Sequence, residues 1–331
     1  MSAFSFIEQN ALALTLVPIH LRELLYIGNI SFDVYIIRDS LYEIALHTDQ
    51  VLEKKILKDF IERGIMILYI QESDKIKLVE LQKENLRGAT RSLSIGDPIE
   101  KGKRQLALMS LNLSHFYEET TSDDFLALMA QSAKNLFRFL YDHPELHKDL
   151  FTEYIKQRHH YIFAQPLLSS LFLLGSLQQS RVLGEKDIEN LFITSYFKDV
   201  GMSSIPTMKY DNMTLSREDK ILFLKHPTHS VSILEGRLSL RSMHLKIIEN
   251  HHLFSCLQNE IIPSEEILSG FETMMISITD VIAAMVSERP YRSSLPVFQS
   301  LEHVKGLIVD QFPSEFRLLV HYFKQFYSAQ K

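Results

Sequence analysis

Residues 270–287 read as a helix that is apolar nearly all the way round. Phe271, Met274, Met275, Ile278, Val281, Ile282 and Met285 fall on one side, with Ile276, Ala283 and Ala284 on the other. Such a helix has to be enclosed by other elements. Asp280 sits in its middle, and a buried carboxylate needs a cation or several donors around it. A metal would answer that need, and so would Arg289 or Arg292. Taken alone, the residues favour the ion pair.

The rest of the C-terminal two thirds supplies the enclosure. From Ile99 onward the pattern is helix after helix, with no convincing strand. Residues 105–118 and 123–141 are amphipathic and suggest a connecting hairpin. Residues 145–178 predict one or two helices broken at Pro166, and residues 185–200 another, ending at Gly201. His226 precedes Pro227, the favoured first helical position, which puts His226 at the N-cap of a helix running to Glu235. Residues 241–254 predict a further helix.

The first 97 residues differ in kind. Residues 32–37 and 41–47 are β-rich around Arg38-Asp39-Ser40 and predict a hairpin. Residues 50–63 have helical spacing and stop at Gly64; residues 65–70 read as a buried strand and 76–91 as a polar helix. The fold class expected is therefore mainly α: an all-helical domain at the C-terminus preceded by a small α/β domain. The expected divisions are 1–97, connecting helices at 98–143, and the helical domain at 144–331.

Composition excludes several function classes. Cys256 is the sole cysteine, so a disulfide framework is ruled out and a reducing compartment is suggested. The apolar runs are too short and interrupted for a membrane span, and residues 1–10 lack a basic start ahead of an apolar core. A cytoplasmic protein is expected. The net charge of −6 argues against DNA or RNA binding, though not against a small anion held by local cations.

Four further residues want partners. His251 and His252 follow Ile247 and Ile248 on a wide apolar stripe, although neighbours on a helix point about 100° apart. The plain alternative is one buried and one exposed histidine. Asp199 ends its helix at the unfavourable end of the dipole, so it needs Lys198 or a metal. His226 alone would pass as a cap. Together with Asp280 these residues favour a shared metal centre, and imidazole with carboxylate suits iron, manganese or zinc.

The order of motifs over residues 161–296 resembles the HD-GYP family of metal-dependent phosphodiesterases that hydrolyse cyclic-di-GMP. Phe197-Lys198-Asp199-Val200-Gly201 with Ile205-Pro206 is similar to the HDIGK…IP segment. Leu215, Glu218 and His226-Pro227 match L..E…HP, and His251-His252 matches HH. The most specific match is Asp280-Val281-Ile282-Ala283-Ala284-Met285 leading to Arg289-Pro290-Tyr291-Arg292. The resemblance implies a helical domain around two or three divalent ions, iron or manganese foremost. Asp199 would bridge them, His226, His251 and His252 would hold one ion, and Asp280 another. Arg289, Arg292 and Tyr291, with Lys209, are the candidate substrate-binding residues; the arginines would either receive a dianionic ligand or lock the helix end.

The departures are equally specific. Lys198 replaces the HD histidine, Gln165 the upstream histidine and Met202 the lysine of HDIGK. Leu253 stands for the glutamate after HH, and Asn259-Glu260-Ile261 for GYP, which predicts a differently shaped loop over residues 253–266. An ammonium cannot ligate a metal, and an amide oxygen is a weak ligand. Either Lys198 supplies charge in place of part of the metal, or His159 or His160 is recruited, or the centre is reduced. The expected function is a weak or altered cyclic-di-GMP phosphodiesterase with Asp199 and Lys198 in catalytic roles and Gln165 completing the ligand set. Two alternatives stand beside it: a signalling module that binds a cyclic nucleotide or a protein without turnover, and a metal-free scaffold. Residues 1–97 would dock signalling partners or regulate.

Overall fold

The computed structural model describes residues 6–180, 182–214, 216–252 and 270–326. Leu215, Cys256, Asn259-Glu260-Ile261 and the expected loop over residues 253–266 lie outside them. The chain divides into two compact units, Met1–Gly88 and Ala89–Lys331.

In the first unit, α1 (Phe6–Thr15) leads into a four-stranded antiparallel sheet. Its strands are β1 (Leu16–His20), β2 (Val34–Arg38), β3 (Leu41–Leu46) and β4 (Ile67–Gln71), ordered β1-β4-β2-β3. The expected hairpin forms through Asp39 and Ser40, whose φ values of 50° and 66° are those of a two-residue type I′ turn. Strand β1 was not foreseen. It is an edge strand, which is where Pro18 can sit without breaking a ladder. Helix α2 (Lys54–Glu62) buries Leu57 and Phe60 against Val34, Leu68 and Ile70 of the sheet. It begins four residues later than the spacing predicts because Gln50 and Leu52 bond the backbone of Ile30 and Gly28 instead. Gly64, at φ +72°, ends the turn beyond α2 as expected. Helix α3 (Lys75–Arg91) leaves this unit.

The second unit is helical throughout its described residues. Its helices are α4 (Pro98–Glu118), α5 (Asp123–Asp142), α6 (His147–Lys156), α7 (Tyr161–Leu177), α8 (Glu185–Phe197), α9 (Arg217–Leu224) and α10 (His226–Leu234). They are followed by α11 (Ser242–Asn250), α12 (Phe271–Val286), α13 (Val297–Ile308) and α14 (Pro313–Phe323). Asp97 and Ser122 cap α4 and α5 by accepting from Ile99 and Phe125 backbone N–H groups.

Helix α7 is the hub and packs on α8, α12 and α14. Gly175 lets the Tyr322 ring approach so closely that a Cβ would lie 2.0 Å from it. The predicted break at Pro166 does not occur. Pro166 lies in the second turn of α7, so its missing N–H removes little of the ladder. That loss of about 3 kcal/mol is outweighed by burying Leu167, Leu168, Leu171, Phe172 and Leu174, at about 2 kcal/mol each. The chain breaks earlier, between α6 and α7, where Arg158 takes φ 50°. Helix α12 is buried on nearly every side, as its sequence requires; Val281 and Ala284 are the half-buried exceptions in its C-terminal half. No described helix is long and apolar enough to cross a membrane.

Candidate metal centre

Four helix ends meet beside the middle of α12. Lys198 caps the C-terminus of α8, and Asp199 opens a short 3-10 turn, Val200–Ser204. That turn lies against the start of α10: Gly201 N–H donates to Ser230 Oγ at 2.8 Å, and a Cβ on Gly201 would stand 2.1 Å from the His226 carbonyl. Only glycine fits there, and the contact fixes Asp199 relative to His226. Tyr117 adds a bond from its hydroxyl to the Asp199 carbonyl at 2.8 Å. His226 is the first residue of α10 rather than its cap, which is Lys225. Helix α11 ends at Asn250, so His251 and His252 lie beyond its last turn. Their ring centroids lie 4.1 Å apart, and both rings reach one point.

Asp199, His226, His251 and His252 bring one ligand atom each within 4.8 Å of one another. His226 Nδ1 lies 2.6 Å from the Phe223 carbonyl and His251 Nδ1 2.6 Å from the Ile248 carbonyl. A carbonyl only accepts, so each Nδ1 carries the proton and each Nε2 presents a lone pair. Those lone pairs face each other at 3.3 Å, and both face Asp199 Oδ1, at 3.2 and 3.1 Å. His252 Nε2 adds another nitrogen 3.3 Å from His226 Nε2. Burial, then the neighbouring His251 and His226, holds His252 well below the usual histidine range and so neutral. Three imidazole nitrogens and a carboxylate oxygen aimed at one point repel unless a cation sits among them. The donor set fits a divalent metal.

The other face of Asp199 is already compensated. Lys198 has no exposed surface, and its ammonium donates to Asp199 Oδ2 and, at 2.7 Å, to Asp280 Oδ1. Burial works against its charge, but the two carboxylates outweigh it and raise its pKa. Burial likewise pushes Asp199 up, and the adjacent Lys198 ammonium overrides it, leaving the carboxyl well below the ordinary range. Lys198 does not line the cavity described below, so it acts through the two carboxylates rather than by touching a ligand. Neither alternative histidine is recruited: His159 bonds Gln157 at 2.9 Å, and His160 bonds Asp211 at 3.1 Å.

Gln165 braces the centre. Its Nε2 donates to Asp280 Oδ1 at 2.7 Å, and its Oε1 accepts from Arg289 Nη2. Both ends of the amide are engaged, which ties Asp280 to Arg289 through this side chain. Asp280 therefore answers to Lys198 and Gln165, not to the arginines favoured as its partners on sequence alone. Arg289 lies 4.4 Å over the Tyr161 ring, a partner the sequence did not signal. Arg292 donates to the carbonyls of Met285 at 3.1 Å and Ala284 at 2.7 Å, closing the C-terminus of α12. The helix-locking role thus falls to Arg292 through carbonyls, not ion pairs. Lys209 pairs with Asp219 of the α9 capping box and is not among the residues lining the cavity.

A cavity of about 530 Å³ opens onto this centre. Asp199, His226, His252, Asp280 and Gln165 form part of its lining, with Tyr161, Arg289, Tyr291 and Arg292. The size is that of a small-ligand site.

No protein-family model and no curated protein matches the chain. Among solved structures it is similar to Bd1817, described as a HDG"Y"P protein from Bdellovibrio bacteriovorus. The two share 14% identity over 93% of this chain and 99% of that one, with a TM-score of 0.63. At that identity the likeness speaks of architecture, and it reaches across the α/β unit as well as the helical one. The chain has the fold of an HD-GYP protein, with a buried His/Asp cluster suited to a metal and a lysine where that family's motif has its first histidine.

Proposed function

We propose that this protein is an altered phosphodiesterase that takes a cyclic dinucleotide, cyclic-di-GMP by resemblance, at a centre with one divalent ion and one built-in ammonium. The observation that carries the reading is the pair of sites on Asp199: His226 and His251 nitrogens face Oδ1 with the His252 nitrogen beside them, and Lys198 binds Oδ2. A divalent ion among the histidines would supply Lewis-acid stabilisation of phosphoryl charge. Lys198 offsets the two carboxylates without leaving a coordination position, which removes one half of a two-metal arrangement. In the cavity lining Arg289 and Arg292 balance Asp199 and Asp280, Lys198 behind the two carboxylates adds one positive charge, and the ion would raise the excess to three. That balance favours a phosphodiester over a neutral or cationic ligand. Arg289, held flat on Tyr161, is placed to receive a phosphate at the rim.

Metal analysis of protein purified without added metal, followed by a hydrolysis assay with iron or manganese, tests this. About one ion per chain, and cleavage abolished by Asp199→Asn, are expected. Metal content well below one and unmoved by His251→Ala would overturn the metal claim. A second reading, binding without turnover, is favoured by the same Lys198: an ammonium cannot activate water as a second ion does. Tight cyclic-di-GMP binding with no cleavage under any metal would decide for it. Residues 1–97 take a regulatory or docking role toward a signalling protein in either reading, and the sole cysteine suits a reducing cytoplasm. Deletion of 1–97 with no effect on assembly, binding or turnover would remove that role.

A further inference from the structure

Helices α10 and α11 carry metal-facing histidines at their outer ends, and residues 235–241 join them at the other. Nine residues of α10 place that junction about 13 Å from His226. A second cavity, of about 420 Å³, opens there and shares no lining residue with the first. Lys134 of α5, Lys186 of α8, Arg237 and Arg241 line it, and no carboxylate does. In a chain of net charge −6 this is a concentrated positive site.

The positive charge is only partly answered. Lys186 pairs with Glu189 at 2.9 Å and Arg237 with Asp123 at 2.6 Å, both outside the lining. Lys134 and Arg241 have no ion-pair partner among the described residues. Arg237 Nη2 is buried without an acceptor among them. Helix α11 also starts here, where His244 Nδ1 accepts from the Arg241 N–H at 3.3 Å, and the positive end of its dipole adds to the field. Between the cations the wall is apolar, built from Ala127, Ala130, Ile193, Leu238 and Leu240. Ser239, His244 and two amides add polar groups. Gln131 donates to Asn135 at 3.0 Å and keeps its carbonyl for another partner, and Asn190 has both ends of its side chain unengaged among the described residues.

We propose that this second cavity is a nucleotide-binding site. Cations and the positive end of a helix fit phosphate; an apolar wall fits the flat face of a base; amides that both give and accept hydrogen bonds fit a base edge. A simple acidic peptide would use the cations and leave the apolar wall and the amides idle.

Isothermal titration of the full chain with ADP, GDP and inorganic pyrophosphate tests the site. A nucleoside diphosphate is expected to bind, at least tenfold more weakly to Arg241→Glu and to Lys134→Glu, and equally well to His251→Ala. Both charge reversals replace exposed side chains, and unchanged circular dichroism confirms that the variants fold. Absence of nucleotide binding overturns the proposal, as does binding unaltered by either reversal. Loss in His251→Ala would place the ligand in the metal cavity instead. Pyrophosphate binding as tight as the nucleotides, or binding of polyglutamate alone, would overturn the nucleotide assignment.

Discussion

Lys198 Nζ and Asp280 Oδ1 stand 2.7 Å apart, joining the end of α8 to the middle of α12, with Lys198 wholly buried. The pair is the reason two buried carboxylates coexist in this centre. Removing one partner of a buried ion pair costs about 3–5 kcal/mol, because the other charge stays behind. Lys198→Met is expected to lose stability on that scale in urea unfolding. Added manganese should restore more stability to the variant than to the parent, since an ion can then enter between Asp199 and Asp280.

Lys198→His tests the same relationship from the other side. It returns an imidazole to the first position of the HD pair, and the metal content should rise from about one ion per chain toward two. A content that stays at one would show that the ammonium is not what holds the second position.

Gly201 and Gly175 separate the site from its scaffold. A Cβ on Gly201 meets the His226 carbonyl at 2.1 Å, whereas one on Gly175 meets the Tyr322 ring at 2.0 Å. Both alanine variants should be less stable by about 1–3 kcal/mol. Only Gly201→Ala should also weaken metal binding, by tenfold or more, because it moves Asp199 against His226. Metal titration followed by calorimetry distinguishes them.

The histidine at position 147 predicts a pH dependence away from the metal. It is fully buried, its Nε2–H donates to the Leu140 carbonyl at 2.9 Å, and burial lowers its pKa to about 4. Below pH 6.5 the unfolded chain takes up a proton that the folded chain refuses until about pH 4. Stability therefore falls as pH drops through that window, by about 3 kcal/mol in all, and is flat on either side of it. His147→Leu should remove this part of the slope, seen as a smaller difference in urea midpoint between pH 7 and pH 5 than the parent shows.

Arg289 and Arg292 should part company on mutation. Arg292→Ala opens the end of α12 and should cost about 1–2 kcal/mol of stability. Arg289→Ala should leave the melting temperature nearly unchanged and weaken binding of a phosphodiester at least tenfold, read by titration with cyclic-di-GMP.

Much of this is legible in the sequence alone, for reasons that can be named. The turn at Asp39-Ser40 carries its own chemistry, and Gly64 marks a helix end by its backbone freedom. Asp280 announced itself as a carboxylate on an apolar helix. What competed with these signals was tertiary context. Pro166 looked like a break because its cost is local, while the burial that offsets it comes from α8, α12 and α14. Lys198 could be read as charge or as loss, and only its distance to two carboxylates decides. Lys209 lies near the motifs in sequence but is claimed by Asp219. The second cavity draws residues from α5, α8 and the α10–α11 junction, with no spacing that a linear pattern could reveal.

Lys198 has a last consequence, because a counter-ion attached to the backbone cannot be chelated. Asp199 and Asp280 keep this partner in a metal-starved cell, so an ion is left to answer only the histidine side of Asp199. Loading and unloading of the histidine pocket then becomes an exchange on a finished scaffold rather than a folding event, and its occupancy can follow the supply of metal.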